Sequence, residues 1–146
     1  MSNFLLLNGP NLNLLGKRET EIYGKESLKD IEEELLQLAK KEKQNLESFQ
    51  SNAEHDLVDK IHEAKEVDVS CIIFNPGAFT HSSIALRDAL LGTEIPFIEV
   101  HISNIYSREE FRKKSVLSEI AIGVISGLGK EGYRLALEVA IKRFGK

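Results

Sequence analysis

Near the middle of the chain lies the sequence Val69-Ser70-Cys71-Ile72-Ile73-Phe74-Asn75-Pro76-Gly77. Its first six residues are mostly apolar, and they end where Pro and Gly mark a turn. A short apolar run that is bounded by turn residues predicts a buried β-strand. We therefore expect a strand over residues 69–74, and the same reasoning can be applied outward in both directions.

Four further runs predict strands. Residues 4–7, closed by Asn8-Gly9-Pro10, form a continuous apolar run that is typical of a strand buried on both faces of a sheet. The other three predicted strands cover residues 46–50, 96–100 and 120–125.

Amphipathic helices are predicted between these strands and after the last one. Ser27 and Asp30 resemble a capping box, which marks a helix start. The residues that follow have the i, i+3, i+7 spacing of one apolar helix face; they are Leu28, Ile31, Leu35 and Leu38. Similar boxes predict two more helices, one starting near Ser51 and Glu54 and a shorter one near Ser107 and Glu110. The remaining helices are expected over residues 82–91 and along a closing segment that carries Tyr133, Ala136, Leu137, Ala140, Ile141 and Phe144.

Strands and helices therefore alternate along the whole chain. Five βα units in regular order predict a parallel sheet that is covered by helices on both sides. We expect an α/β fold, a flavodoxin-like three-layer α/β/α sandwich with a five-stranded parallel sheet. Because 146 residues are the size of one ordinary domain, residues 1–146 are expected to form a single domain.

Composition argues against several classes of protein. The net charge is −4 and there is no Lys/Arg-rich run, so nucleic acid is not expected as a partner. No apolar run approaches the roughly 20 residues that span a membrane, and no signal peptide is recognisable. The single cysteine, Cys71, cannot form an internal disulfide and is expected in the core. A cytoplasmic protein without membrane contact fits these observations.

Ligands of parallel α/β sheets bind beyond the carboxyl ends of the strands. The polar and titratable side chains of this chain are concentrated after the first, third and fourth strands, so we expect one pocket drawn from distant segments. Residues 75–81 lead from a strand into a helix, where free N–H groups suit an anion or a hydroxyl-rich ligand. Neutral amides such as those of Asn11 and Asn75 also suit hydroxyl groups.

Glu99 and His101 lie at the end of the fourth predicted strand. Residues i and i+2 share a face, so the Glu99 carboxylate can accept a hydrogen bond from one ring nitrogen of His101. This would fix the tautomer and help the ring to hold a proton, as a general acid requires. The alternative is a solvated pair at a sheet edge, which fits poorly with an acidic residue in an otherwise apolar strand.

Other pairs allow both a functional and a structural interpretation. Arg18 could favour the phenolate of Tyr23 in the long loop after the first strand, although a loop tyrosine more often serves packing. Arg108 and Arg112 have i, i+4 spacing, yet the interleaved charges favour a solvated helix face. Arg87-Asp88 is likewise expected to be a surface pair.

Gly127-Leu128-Gly129-Lys130-Glu131-Gly132 has the form G-x-G-x-x-G after a predicted strand. The dinucleotide fingerprint also needs a later strand and an acidic residue about 20 positions on, and 14 residues follow Gly132. A tight turn between strand and helix explains the glycines. The four histidines show no metal-ligand spacing, so no metal site is expected.

Four segments form a recognisable set. They are Asn8-Gly9-Pro10-Asn11-Leu12-Asn13-Leu14-Leu15-Gly16-Lys17-Arg18-Glu19 with Tyr23-Gly24, Asn75-Pro76-Gly77-Ala78-Phe79-Thr80-His81, Ala85-Leu86-Arg87-Asp88, and Glu99-Val100-His101-Ile102-Ser103-Asn104-Ile105 followed by Arg108-Glu109-Glu110-Phe111-Arg112. In this order and spacing they resemble the type II 3-dehydroquinate dehydratases, and the resemblance covers essentially the whole chain.

That resemblance implies dehydration of 3-dehydroquinate to 3-dehydroshikimate in the shikimate pathway. The reaction would be an anti elimination through an enolate, with no metal, Schiff base or organic cofactor. Tyr23 would be the base and Arg18 would hold it as a tyrosinate. A water near Asn11 would meet the enolate. His101, oriented by Glu99, would be the acid. The residues implied to bind the substrate are Asn75, His81, Ile102, Ser103 and Arg112.

The resemblance also implies a homododecamer built from trimers, in which Asp88 reaches a neighbour's site. The loop that carries Arg18 and Tyr23 would close over the ligand. Two positions depart from the commonest family pattern, since Phe79 stands where Tyr is frequent and Tyr106 where His is frequent. Neither has an implied chemical role.

Two other classes of function remain open on the residues alone. A binding module for a phosphate-bearing ligand would use the Asn75 and Gly127 loops, but it would leave Tyr23 and the Glu99–His101 pair without a task. A signalling module of the same fold would need an acidic cluster at the strand ends, where the first and third strands end in Asn instead.

Overall fold

The computed structural model describes residues 1–146 and contains one sheet of five parallel strands. The strands are β1 (Asn3–Asn8), β2 (Asn45–Gln50), β3 (Val69–Asn75), β4 (Phe97–His101) and β5 (Gly123–Ser126). Their order across the sheet is β2-β1-β3-β4-β5. The predicted five-stranded parallel sheet is confirmed, and β1, β3 and β4 lie side by side at its centre.

Five helices accompany the sheet. They are α1 (Thr20–Tyr23), α2 (Leu28–Lys41), α3 (Glu54–Glu66), α4 (Ile84–Thr93) and α5 (Glu131–Phe144). Side chains alternate across each strand, so Phe4 and Leu6 of β1 pack in the core under α2 and α5. Leu5 and Leu7 pack in the opposite core under α3 and α4. The result is the flavodoxin-like three-layer sandwich predicted from the sequence, and none of its helices is long and apolar enough to cross a membrane.

Two helix starts are confirmed or corrected by their hydrogen bonds. At α2 the capping box forms as predicted, because Ser27 Oγ accepts from the Asp30 N–H and the Asp30 carboxylate accepts from the Ser27 N–H, both at 3.1 Å. The box predicted at Ser51 and Glu54 is wrong. Ser51 Oγ accepts from the Ala53 N–H and donates to Asp56, which makes a local turn before α3 begins at Glu54.

The helix predicted after Ser107 and Glu110 is also wrong, since this segment forms only short 3-10 turns over Ile105–Ser107 and Glu110–Arg112. The backbone that follows bonds to another loop instead of to itself, as the Val116 N–H donates to the Thr80 carbonyl at 2.8 Å. A third turn, Ser118–Ile120, delays the last strand, so β5 begins at Gly123 rather than at residue 120.

Cys71 lies in the middle of β3 and is fully buried, as predicted. Burial raises the pKa of its thiol to about 12, so the thiol stays protonated at neutral pH and acts as a small core side chain.

Candidate active site

One pocket lies beyond the carboxyl ends of β1, β3 and β4, where the sequence predicted it. Nine of the eleven predicted site residues line it, namely Asn11, Arg18, Tyr23, Asn75, His81, His101, Ile102, Ser103 and Arg112. Glu99 lies beneath the pocket and touches it through His101. Asp88 is exposed on α4 and does not line this pocket.

The loops after β1 and β3 meet because Gly9 allows a very close approach. The Gly9 N–H donates to the Asn75 carbonyl at 2.8 Å, and a Cβ at this position would lie 2.3 Å from the Pro76 carbonyl oxygen. Asn11 follows in a left-handed conformation with φ at 68°, and its N–H donates to Asn52. The Asn11 side chain has no hydrogen-bond partner in the chain, so its amide is available to a ligand or a water.

Glu99 and His101 form the pair that the strand spacing predicted. Glu99 Oε2 lies 2.5 Å from His101 Nε2, and the two residues are 0% and 5% exposed. His101 Nδ1 has no partner in the chain and belongs to a residue that lines the pocket. Because the Glu99 carboxylate accepts the hydrogen bond from Nε2, the other ring nitrogen of His101, Nδ1, is left to face a bound molecule.

The Glu99 carboxylate is buried but well supplied with hydrogen-bond donors. Thr80 Oγ1 donates to Oε2 at 2.9 Å, while Ser115 and Ser118 donate to Oε1 at 3.1 Å and 2.8 Å. Burial by itself raises the pKa of Glu99. The hydrogen bond and charge of His101, together with the hydroxyls of Ser118 and Thr80, outweigh burial and leave that pKa below its ordinary value.

Two guanidinium groups surround Tyr23. Arg108 Nη1 donates to the Tyr23 hydroxyl at 2.6 Å, and the same nitrogen lies 3.4 Å from Ser103 Oγ. Arg18 stacks over the ring, with its guanidinium carbon 5.2 Å from the ring centroid, and pairs with Glu19 at 2.6 Å. Arg18 was expected to hold Tyr23 as a tyrosinate; in the structure it lies over the ring, and the guanidinium that donates to the hydroxyl is that of Arg108. The phenolic oxygen of Tyr23 thus accepts a hydrogen bond from a charged donor.

Arg108 was missed at the sequence level because its i, i+4 spacing to Arg112 suggested a solvated helix face. Since no helix forms here, both side chains reach the pocket instead. Arg108 follows the end of β4 closely in sequence, and this position could have suggested that it lies in the pocket. Arg112 stacks on the Phe111 ring and forms an ion pair with Glu109 at the rim.

Asn75 is held from behind by a buried chain of polar groups that includes Tyr133, which the sequence predicted only as a core residue of the closing helix. Its Nδ2 donates to the Tyr133 hydroxyl, which donates in turn to Asn8 Oδ1, both at 2.7 Å. Its Oδ1 accepts from the Gly77 N–H at 3.1 Å. Burial raises the pKa of Tyr133, so the phenol stays neutral. These contacts set the orientation of the Asn75 amide before any ligand binds.

His81 is oriented in the same manner. Its Nδ1 lies 2.7 Å from the Lys114 carbonyl, which can only accept, so this nitrogen carries the hydrogen. Nε2 of the neutral ring is then an acceptor for a ligand hydroxyl.

The glycine-rich loop after β5 is engaged in holding the end of β4. The N–H groups of Gly127 and Gly129 donate to the carbonyls of His101 and Ile102 at 3.1 Å and 3.0 Å. Gly127 has φ at +91°, and a Cβ there would lie 2.9 Å from the Asn104 side chain. Because these donors are occupied, the loop is a turn and its G-x-G-x-x-G form does not make a phosphate cradle.

Comparison with known proteins assigns the chain to a family. Residues 2–141 match the sequence profile of the family described as dehydroquinase class II. The chain belongs to the class II dehydroquinase family. A protein named 3-dehydroquinate dehydratase from Thioalkalivibrio sulfidiphilus is 61% identical over 141 residues, which cover 97% of this chain and 96% of that protein. A protein of the same name from Prochlorococcus marinus is 59% identical over 138 residues, or 94% of this chain and 93% of that protein.

Solved structures agree with the family assignment. A type II dehydroquinase from Butyrivibrio crossotus superimposes with a TM-score of 0.93 at 44% identity, covering 95% of this chain and 97% of that chain. A 3-dehydroquinate dehydratase-like protein from Bifidobacterium longum covers both chains fully, with a TM-score of 0.73 at 28% identity. Neither Phe79 nor Tyr106 lines the pocket.

Proposed function

We propose that this member of the class II dehydroquinase family dehydrates 3-dehydroquinate to 3-dehydroshikimate by anti elimination through an enolate. Relatives named 3-dehydroquinate dehydratase are 58–61% identical over nearly the whole chain, which supports the dehydratase activity itself. The observation that carries the mechanism is that a phenol supported by guanidinium groups and a histidine supported by a carboxylate face the same pocket.

Tyr23 is the base in this proposal. As the phenolate, it takes a proton from the carbon next to the ketone, and the electron pair of the broken C–H bond passes into the enolate. Arg108 donates to the phenolic oxygen and Arg18 lies over the ring, so both cations favour the phenolate before the transfer.

The enolate oxygen needs a donor that is in place before charge develops. Asn11 lines the pocket with a free side-chain amide, which suits a water held between this amide and the enolate oxygen. No metal or organic cofactor takes part in the proposed reaction.

His101 is the acid. Its Nδ1 gives a proton to the departing hydroxyl, the C–O bond breaks, water leaves, and the enolate collapses to a conjugated enone. Glu99 accepts from Nε2 throughout and stabilises the imidazolium. Asn75, His81, Ile102, Ser103 and Arg112 line the same pocket and bind the hydroxyls and carboxylate of the substrate.

Replacement of Tyr23 by Phe tests the base. We expect kcat to fall by at least about 10²-fold, while calorimetry still detects binding of 3-dehydroquinate. The product is a conjugated enone and the substrate is not, so ultraviolet absorbance measures turnover directly. Tyr106→Phe is the matched control, since Tyr106 is 57% exposed and lies outside the pocket. Retained turnover in Tyr23→Phe would overturn the base assignment.

Two further arms test the chemistry of the reaction. Turnover is measured with a chelator present, and separately after borohydride is added with substrate, which would trap a Schiff base. We expect activity to survive both treatments. Loss in the first arm points to a metal and loss in the second to an imine, and either loss contradicts an enolate mechanism that uses neither.

The setting of the enzyme is part of the same proposal. We propose that residues 1–146 act as one catalytic domain in the cytoplasm, without nucleic acid partners, in a homododecamer of trimers. In this proposal Asp88, which is exposed on α4, reaches the site of a neighbouring subunit. Sedimentation velocity measures the oligomer, and a monomer that is fully active would contradict a role for Asp88 in a neighbouring site.

A further inference from the structure

Three hydroxyl groups surround the carboxylate beneath the pocket, and the proposed reaction assigns them no task. We call Thr80, Ser115 and Ser118 the hydroxyl cradle. Together with His101 they place four hydrogen-bond partners on Glu99, two on each oxygen. Glu99 itself is 0% exposed, so these four groups replace all of its water.

The direction of these hydrogen bonds can be derived from the surrounding backbone. Ser115 Oγ accepts from the N–H groups of Leu117 and Ser118 at 3.0 Å and 3.1 Å. Its one hydrogen is therefore left to donate, and the acceptors within reach are Glu99 Oε1 at 3.1 Å and Thr80 Oγ1 at 2.9 Å. Ser118 has no other partner for its hydroxyl hydrogen. A carboxylate can accept all of these hydrogen bonds. A protonated Glu99 would instead carry an O–H donor that faces another donor, so at least one of the hydrogen bonds would be lost.

The cradle is held rigidly by the chain around it. Thr80 lies in the turn Gly77–His81, and its carbonyl accepts from the Val116 N–H at 2.8 Å. On the other side, Arg87 of α4 donates to the Val116 carbonyl at 2.7 Å and pairs with Glu119 at 2.6 Å. The positions of the hydroxyls are thus set without substrate.

The charges in the pocket make this arrangement important for His101. Arg18, Arg108 and Arg112 line the same pocket as His101, and positive neighbours disfavour an imidazolium. Glu99 is the negative charge in contact with the ring. If the proton between Glu99 and His101 moved to the carboxylate, the ring would become neutral and a poor acid.

We propose that Thr80, Ser115 and Ser118 are positioning residues that keep the shared proton on His101 rather than on Glu99. The inference rests on the proposed role of His101 as the acid, but its consequence for the charge of the ring can be measured without turnover. The hydroxyls act through Glu99 and do not touch the substrate.

The experiment records ¹⁵N spectra of the full-length protein with labelled histidine at about pH 7, where histidine charge responds to its surroundings. An imidazolium has two protonated nitrogens and a neutral ring has one, and the His101 signals are assigned by their loss in His101→Asn. Ser118→Ala and Thr80→Val remove hydroxyls, whereas Ser118→Thr and Thr80→Ser retain them. Ser83→Ala is the control, because Ser83 also donates to a carboxylate, that of Glu54, away from the pocket.

We expect an imidazolium at His101 in the unsubstituted protein and a largely neutral ring in Ser118→Ala and Thr80→Val. In these variants kcat falls roughly ten-fold, the effect of one hydrogen bond to a charged group, while KM changes by less than about two-fold. The two conservative variants restore both the spectrum and kcat, and Ser83→Ala changes neither. If Ser118→Ala does not fold, the Thr80 pair decides the question.

A neutral ring in the unsubstituted protein, or an unchanged imidazolium in both hydroxyl-free variants, would overturn the inference. A neutral ring with unchanged kcat would instead support the cradle and contradict the proposed role of His101 as the acid. The two failures are thereby distinguished.

Discussion

Arg108 donates a hydrogen bond to the hydroxyl of Tyr23 over 2.6 Å, although 85 residues separate the two in sequence. The contact joins the loop after β1 to the loop after β4 at the point where the proposed base acts. The pair therefore holds these two loops together and places a charged donor on the phenolic oxygen of the proposed base.

Replacement of Arg108 by Ala should therefore lower kcat by roughly 10- to 100-fold, the range for loss of a hydrogen bond to a charged group. Steady-state measurement of enone formation provides the value. Arg134→Ala is the control, since Arg134 forms only intrahelical ion pairs on α5. An Arg108→Ala enzyme with unchanged kcat would remove this residue from the chemistry.

Replacement of Arg112 by Ala should act on binding before it acts on turnover. We expect KM to rise roughly ten-fold or more and kcat to change less, because the lost guanidinium is assigned to the substrate carboxylate. Glu109→Gln is the informative partner variant. It releases Arg112 from its ion pair at the rim, so KM should not rise. A fall in kcat alone in Arg112→Ala would contradict a role in binding.

Tyr133→Phe should destabilise the protein by about 1–3 kcal/mol, since it leaves buried polar atoms of Asn8 and Asn75 without a partner. Urea unfolding measures this loss. We also expect a higher KM, because the Asn75 amide is no longer held from behind. Tyr106→Phe, which loses only an exposed hydroxyl, should stay within about 0.5 kcal/mol of the unsubstituted protein. Equal stability of the two variants would show that the buried chain contributes little.

Glu99 should contribute to the stability of the fold in a pH-dependent manner. Its pKa in the folded protein lies below the ordinary value of 4.5, so its contribution is complete above that value and is lost as the pH falls through the lower folded pKa. The free energy of unfolding should therefore fall on acidification below 4.5. In Glu99→Gln the free energy of unfolding should fall less steeply on acidification. Glu54→Gln, which removes a different carboxylate, is the control. Parallel pH dependences for Glu99→Gln and the unsubstituted protein would contradict the lowered pKa.

Much of the fold could be predicted because it follows from short-range rules. The apolar run at residues 69–74 forms β3, and Ser27 with Asp30 starts α2 as its spacing indicated. The capping-box spacing of Ser107 and Glu110 also predicted a helix, but this segment forms only 3-10 turns. There the backbone bonds stay within single turns, and a few residues later the Val116 N–H donates to Thr80 of the turn Gly77–His81, a partner that no local rule reports.

In the candidate site, too, some contacts follow from local sequence and others only from the tertiary structure. Glu99 and His101 were predictable as a pair, since neighbours two apart in a strand must share a face. Sequence alone also determined that polar groups gather at one end of the sheet, because parallel strands all end there. The contacts of Arg108 with Tyr23, of Tyr133 with Asn75, and of the three hydroxyls with Glu99 were decided only by the tertiary structure. These groups lie 16 to 85 residues apart, and only the packing of helices and loops on the sheet determines which of them meet.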